Sequence, residues 1–444
     1  MATAAERDHH HQHHHQRYQH QYRLIGLDLA ISAMIIVTFV IGNVRLTSAL
    51  ITYDRTGLNI STYPHDIPLD AESIIIDRTT ISQIDFIEIF SNLTSYRLSD
   101  NKISVFPNLS NVSNSIVVLT VSMTNIATIP VDAMATMPLL QKLDISQNKI
   151  SELPDLTTVF PVLQSLSAYS NVLSRMGRTT AKSLTLDYNK MTELPDVNNV
   201  WDTFSYLSVS GNNISSIPSG DIPRLPKCRN FNIRSNKLTT FPDVSNMTDL
   251  YSLDLSSNRI NSMSGVPRMS SLVVLTMDDN ELTTFPNLTN IKNRLSILFI
   301  FDNEIVVFPD ELMAPLTSLW FFKIGRKSRQ PIYLPNFCMM NHTNRPLSLT
   351  IVYSSINCDQ NAIFAQMAER VGMLDVTSPP SCISPNNVIG RKFNNLTADQ
   401  LWPRQSGNLF MLYNITGHTF FKVNNSYYYQ PKASLTFRDL GYFE

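Results

Sequence analysis

Beyond its first 23 residues the chain has three histidines, His65, His342 and His418, in three separate segments. Catalysis requires a nucleophile, a base or metal ligands that converge on one point. The sequence contains no H-E-x-x-H, no G-x-S-x-G, no glycine-rich phosphate loop and no paired C-x-x-C, and 13 glycines in 444 residues leave little room for such loops. The better candidates are carboxylates, Asp254, Asp278, Asp279 and Asp302, which recur at intervals that would bring them onto adjacent strands. Such oxygens could hold Ca²⁺; the reading adopted is a solvated acidic patch that steers a basic ligand. No enzyme activity, resident metal or cofactor is expected. The leader HHHQHHHQ and its flanks hold seven of the ten histidines, and this low-complexity run reads as an unstructured tail.

The elements that must position these carboxylates are visible in LYSLDLSSNRINSM, Leu250 to Met263, one clean copy of a pattern written eleven times between Ala71 and Pro309. Counting from the first apolar residue of each unit, positions four and six are apolar in all eleven, from Ile74 and Ile76 to Leu298 and Ile300. That period-two alternation marks a short strand with both side chains inward. The ninth position is Asn in nine units, Asn101, Asn148, Asn171, Asn189, Asn212, Asn236, Asn258, Asn280 and Asn303, with Thr79 and Thr124 in the others. An amide there supplies donors and an acceptor to backbone groups that would otherwise be buried unpaired, and threonine supplies only part of this. Proline follows the fourteenth position in eight units, which predicts extended or 3₁₀ backbone opposite the strands. The unit with strand Leu184 to Leu186 is about five residues short in the loop before it.

Over about 240 residues the chain resembles leucine-rich-repeat proteins, in particular the ectodomains of repeat-containing receptors. The resemblance implies an α/β solenoid, mostly β: a right-handed horseshoe with a parallel concave sheet, an irregular or 3₁₀ convex side, a C-terminal cap and a small β-rich tail. It also implies a protein, peptide or glycan ligand on the concave face or lateral edge, and no catalysis. The N-terminal cap lacks the cysteine cluster that many extracellular relatives carry. No kinase or Toll-like signalling domain is recognisable, so signalling would be borrowed from a co-receptor.

Residues 24–44, LIGLDLAISAMIIVTFVIGNV, are long enough to cross a bilayer as a helix. Arg7, Arg17 and Arg23 precede this segment and Arg45 closely follows, which places the N-terminus in the cytosol and the repeats outside. A single-pass signal anchor in the plasma membrane is expected; a cleaved signal peptide with Thr47-Ser48-Ala49 at its end, giving a secreted binder or enzyme inhibitor, is the alternative. A third reading is an intracellular scaffold of the phosphatase-regulator kind, against which the apolar segment and the sequons argue. Eleven N-x-[ST] sequons, at Asn59, Asn92, Asn108, Asn111, Asn213, Asn246, Asn287, Asn341, Asn395, Asn414 and Asn424, avoid the outward strand positions. The parts are then residues 1–23 as a cytosolic tail, 24–44 as anchor, 45–70 as N-terminal cap, 71–330 as eleven to twelve repeats, 331–384 as a cysteine-bearing cap and 385–444 as a β-rich tail or small module. Cys358 and Cys382 are the expected disulfide, with Cys338 as the alternative partner of either; Cys228 reads as a buried free thiol. A formal charge of −1 and 16% charged residues argue against nucleic acid as a partner.

The outward strand positions offer Tyr188, Arg229 and Arg234 in the middle units, then Asp278 and Asp302, then Phe299, Phe301, Trp320 and Phe322. Aromatic and arginine side chains on an open face are what binding hot spots are made of. For Trp320 and Phe322 cover by the C-terminal cap is the favoured reading, and for Phe299 and Phe301 binding is. A twelfth strand is read with Leu316, Leu319 and Phe321 inward and Ile324 at the asparagine position.

Overall fold

The computed structural model describes residues 51–84, 90–197, 200, 202–217, 225–263, 266–335, 347–352, 354 and 356, and, in backbone only, 357 and five further strands within 374–430. The expected anchor at 24–44 lies outside the described residues. Among those that are described, no helix is long and apolar enough to cross a membrane.

Each repeat contributes one three-residue strand to a single parallel sheet. The strands of the first units are β1 (Thr52–Asp54), β2 (Ser73–Ile75), β3 (Ser95–Arg97), β4 (Val118–Thr120) and β5 (Lys142–Asp144). A short pair on the opposite side, β6 (Glu152–Leu153) and β8 (Arg175–Met176), brackets β7 (Ser165–Ser167). The sheet continues through β9 (Ser183–Thr185), β10 (Tyr206–Ser208), β11 (Asn230–Asn232), β12 (Ser252–Asp254), β13 (Val274–Thr276) and β14 (Ile297–Phe299). It ends with β15 (Phe321–Ile324), β16 (Leu347–Ile351) and β18 (Leu374–Val376), fifteen strands in all. Elsewhere β17 (Ile356–Asn357) pairs with β19 (Cys382–Ser384), and β20 (Tyr413–Ile415), β21 (His418–Val423) and β22 (Ser426–Gln430) form an antiparallel sheet. Besides the β6–β8 pair, the backbone opposite the strands includes 3₁₀ turns such as Ser110–Val112 and one turn of α-helix, Asp310–Met313.

The register is strict. Leu207 faces Leu184 and Phe231, Leu253 faces Leu275, and Leu275 faces Leu298, so the fourth positions stack into one column. These side chains and their sixth-position neighbours are buried in a continuous apolar core from Tyr53 to Ile356. No single coil could bury its own inward face, and stacking is what removes that area from water.

Two backbone features close each coil. The residue before the ninth position takes a left-handed conformation in all eleven units, from Arg78 (φ 54°) through Gly211 (φ 66°) to Asp302 (φ 53°). A non-glycine residue adopts this conformation at a cost, so something must hold it there. The asparagine does so. Asn148 donates through Nδ2 to the Ile145 carbonyl of its own coil (3.0 Å) and the Val121 carbonyl of the preceding one (2.8 Å), while its Oδ1 accepts from Ile126 N (3.1 Å). The same bridge recurs from Asn171 to Asn303, and all nine asparagines are buried. Thr79 and Thr124 instead donate forward to the Oδ1 of Asn101 and Asn148.

The short unit shows how a coil loses five residues. Gly177 N donates to Leu153 O (2.7 Å), Leu156 N donates to Arg178 O (2.8 Å), and the glycine lies flat on the backbone of the coil before it. A Cβ on Gly177 would stand 2.5 Å from the Pro154 carbonyl carbon, where neither backbone can yield easily. Gly177→Ala is therefore expected to cost about 2 kcal/mol, measurable by urea unfolding, although Ala is otherwise the easier residue to order.

The sheet runs past both expected ends of the solenoid. Tyr53 pairs with Ile74 within the segment read as an N-terminal cap, and Leu349 pairs with both Phe322 and Val376 within the segment read as a C-terminal cap. The twelfth strand also needs correcting. Leu298 faces Phe322, so the inward residues are Phe322 and Ile324, the unit begins three residues later at Leu319, and Lys327 occupies the asparagine position. The segment Leu316 to Ile324 satisfies the apolar pattern in either register, and only pairing with β14 decides between them.

Candidate binding face

The outward positions of β4 to β13 are dominated by short hydroxylated side chains, which bond to one another across the strands. Ser99 and Ser122 meet at 2.9 Å, Ser146 and Ser167 at 2.7 Å, and Asp187 accepts from Ser208 Oγ at 2.5 Å and from Ser210 N at 2.7 Å. Burial pushes the Asp187 carboxyl up and these two hydrogen bonds pull it back. Larger groups stand along the margins: Tyr188 and Arg229 are exposed, and the Tyr188 ring lies where a Cβ on Gly211 would stand, 2.7 Å from its Cδ1.

Toward β15 the face changes character. One row across the sheet reads Asp254, Thr276, Phe299, Lys323 and Thr350, fixed by direct strand pairing. Two residues further along each strand lie Ser256, Asp278 and Phe301. Phe299 and Phe301 do point outward, but they are buried, at 9% and 2% exposure. The Lys323 ammonium sits 4.1 Å from the Phe301 ring centroid and 6.0 Å from that of Phe299, within cation–π range of the first. Phe299 meets Phe321 edge to face at 5.5 Å, and Phe321 meets Trp320 at 6.0 Å. Trp320 is exposed at the margin of the face. Phe322 belongs to the core and is withdrawn from the outward set: its ring packs against Phe308 and Phe285.

The acids do not form a uniformly solvated patch. Asp279 pairs with Lys327 at 2.9 Å on the surface, and Asp302 is half-buried. Asp278 is 3% exposed. Its Oδ2 lies 3.7 Å from Arg234 Nη1, which also donates to Ser256 Oγ at 2.9 Å, while its Oδ1 and the Thr276 hydroxyl are buried with no hydrogen-bond partner. Burial pushes the Asp278 carboxyl up to about 7; Arg234 opposes that shift, Asp254 adds to it and Lys323 opposes it. Burial likewise lowers the Lys323 ammonium, against the pull of Asp278 and Asp302. Among the described residues, no group of three or more His, Cys, Asp or Glu side chains is arranged to hold a metal ion.

The sequence signals that would have found this cluster were weak. Lys323 follows three aromatic residues and looks like ordinary punctuation at the end of a strand. Thr276 is one threonine among many. Their significance comes from sheet register and burial.

Of the sequon asparagines, Asn59, Asn92, Asn108, Asn111, Asn246 and Asn287 are exposed, Asn213 is half-buried, Asn414 is described in backbone only, and Asn341, Asn395 and Asn424 lie outside the described residues. Cys228 is a buried free thiol donating to Asn230 O at 3.4 Å, and burial raises it to about 12, far from reactivity. The expected disulfide falls on Cys358, outside the described residues, and on Cys382, of which only the backbone is described.

This architecture, a parallel sheet with one strand per repeat and an asparagine bridging each pair of coils, is the leucine-rich-repeat fold. The chain is similar in structure to a leucine-rich-repeat protein of Leptospira interrogans, at 21% identity and a TM-score of 0.55, covering 74% of this chain and 77% of that one. It is also similar to a chain of the LRIM1/APL1C complex (21% identity, TM-score 0.51, 59% of this chain and 48% of that one). A third likeness is to YopM, a leucine-rich effector protein from Yersinia pestis (20% identity, TM-score 0.50, 63% of this chain and 73% of that one). No protein-family model matches the sequence, and no curated protein matches it.

Proposed function

We propose that the chain is a recognition protein, anchored in the plasma membrane by residues 24–44, that binds a protein partner outside the cell on the outward face of its sheet. The observation that carries this reading is the contrast along that face. Most of its length is small hydroxylated residues bonded to one another, and one part concentrates aromatic rings, two cations and the buried Asp278. The inward apolar columns already hold the coils together in every repeat, whereas these groups gather at one part of the outward face, and aromatic and charged groups beside a polar surface are the composition of a binding hot spot. The exposed sequon asparagines lie off the outward strand positions, so glycans would shield the back and flanks and leave this face bare. The role read from such a face is adhesion or co-reception. A peptide or glycan ligand would use the same face.

The test uses a glycan as a wedge. Asn232→Thr completes a glycosylation signal at Asn230, whose side chain sits on the outward face of β11. Expressed in a secretory host, the variant should gain one glycan over the wild type by mass and lose capture of the cell-surface or secreted protein that mass spectrometry identifies with the wild type. Capture unchanged by the added glycan would move the site elsewhere. Glycosidase treatment of the wild type checks the compartment: no mobility shift would favour an intracellular scaffold, and a mature N-terminus near Leu50 would favour the secreted form.

A further inference from the structure

We propose that Asp278 and Thr276 form a receptor site for a single guanidinium group, the side chain of an arginine presented by the protein partner. This rests on the reading of the outward face as a binding surface. The two side chains leave the same strand two residues apart and on the same side, so their attachment points are separated by about 6.6 Å. Each carries a buried oxygen with no hydrogen-bond partner. Native structures leave few such atoms, because desolvating an acceptor without supplying a donor is unfavourable. The equivalent position also holds Asp77 and Asp187, but there one carboxylate oxygen accepts from a backbone N–H of the next coil, Ser99 N and Ser210 N, whereas Asp278 Oδ1 accepts from nothing. Two orphaned oxygens side by side point to donors that arrive with a ligand.

Charge selects the ligand. Asp254 adds a second negative charge beside Asp278, and of the two Asp278 oxygens only Oδ2 has a cation near it, Arg234 Nη1 at 3.7 Å, while Oδ1 has no donor. Asp279 is already neutralised by Lys327. A cation is therefore called for, and the shape of the site favours guanidinium over ammonium. A planar fork can donate to the Asp278 carboxylate and the Thr276 hydroxyl together, it is weakly hydrated, and its flat face suits the floor made by Phe299 and Phe301. Entry requires one flexible chain to move. Lys323 is that chain: its ammonium rests on the Phe301 ring with no hydrogen bond or ion pair among the described residues.

Occupation must also be coupled to a proton. The carboxyl of the free protein is raised to about 7, and a bound guanidinium favours its ionised form, so binding releases a proton and strengthens as pH rises. If only the carboxylate binds, the bound fraction at low occupancy rises about tenfold between pH 6 and pH 8.

The experiment titrates the full chain, labelled with ¹³C at its aspartate carboxyls, with N-acetyl-arginine methylamide, and uses the citrulline analogue as a neutral control of the same shape. The arginine amide should move the one resonance that disappears in Asp278→Asn, about tenfold more tightly at pH 8 than at pH 6, and the citrulline amide should leave it in place. Lys323→Ala, which opens the entrance, should tighten binding several-fold. Thr276→Val, which keeps the carboxylate and the side-chain shape, should weaken it several-fold and serves if Asp278→Asn fails to fold. Equal response to the two amides, or arginine-amide binding that survives in Asp278→Asn, would overturn the proposal. The two readings fail separately. Partner capture that survives a glycan at Asn230 defeats the binding face, whereas capture blocked by that glycan, with the two amides behaving alike, defeats the guanidinium site alone.

Discussion

Asn258→Ala should lower the unfolding free energy by about 3 kcal/mol, and Asn258→Thr by about 1 kcal/mol. Asn258 is buried and holds two coils together: Nδ2 donates to Leu255 O (3.0 Å) and Ile233 O (3.1 Å), and Oδ1 accepts from Leu238 N (3.0 Å). The two carbonyls keep a second donor, from Asn280 and Asn236 respectively, so the loss there is partial. Leu238 N has no substitute and is left as a buried, unpaired N–H. The left-handed Ser257 also loses the bonds that hold it at φ 53°. Threonine is the informative control, because Thr79 and Thr124 stand at this position elsewhere and keep part of the bonding. Urea unfolding measured at constant slope separates a loss of stability from a change in the denatured chain. Equal stability of wild type and Ala variant would mean that the asparagines decorate the coils and do not join them.

Asp278→Asn should stabilise the protein at pH 8, by up to about 4 kcal/mol, and do nothing at pH 4. The direction follows from the carboxyl being raised to about 7 in the fold, against an ordinary value near 4 in the unfolded chain. Below about pH 4 both states are protonated and the native acid carries no penalty. Between about 4 and 7 the unfolded chain gives up a proton that the fold retains, so stability falls as pH rises. Above about 7 the penalty is complete and constant. Asparagine fills the same space without a charge, so the gain should grow across that window and then level off. Unfolding curves for both proteins at pH 4, 6 and 8 check it, and a destabilised variant at pH 8 would show that Arg234 more than compensates the buried charge. An acid that costs stability at an outward position is consistent with one kept for what it binds.

The inward half of each strand was readable from one sequence because its constraint is local and repeated. A residue at position four or six must be apolar in every coil, and eleven copies expose the rule. The column of left-handed residues was hidden, since Arg78, Met123 and Tyr188 show none of the glycine or asparagine bias that usually betrays this conformation. The last coils are ambiguous in the sequence for a different reason. Phe321, Phe322 and Ile324 fit two registers, and the choice depends on pairing with Leu298, a partner 24 residues away. The binding face was legible only as a set of residue types. That Phe301 is floor and not platform, and that Asp278 is buried and not solvated, depends on Lys323 and Arg234 arriving from other strands.

The rungs that join neighbouring coils are not all alike. Every asparagine reaches back to a carbonyl of the coil before it, but Thr124 has no amide hydrogen to send toward the Leu98 coil and donates only forward, to Asn148. A chain tethered at one end and held by a partner at the other would carry tension through these joints in series, and among the eleven repeats the two joints with one rung fewer, before Thr79 and before Thr124, yield first. The array should therefore part at the joints before Thr79 and Thr124 when stretched, releasing the N-terminal coils as slack while the face around Asp278 keeps its grip.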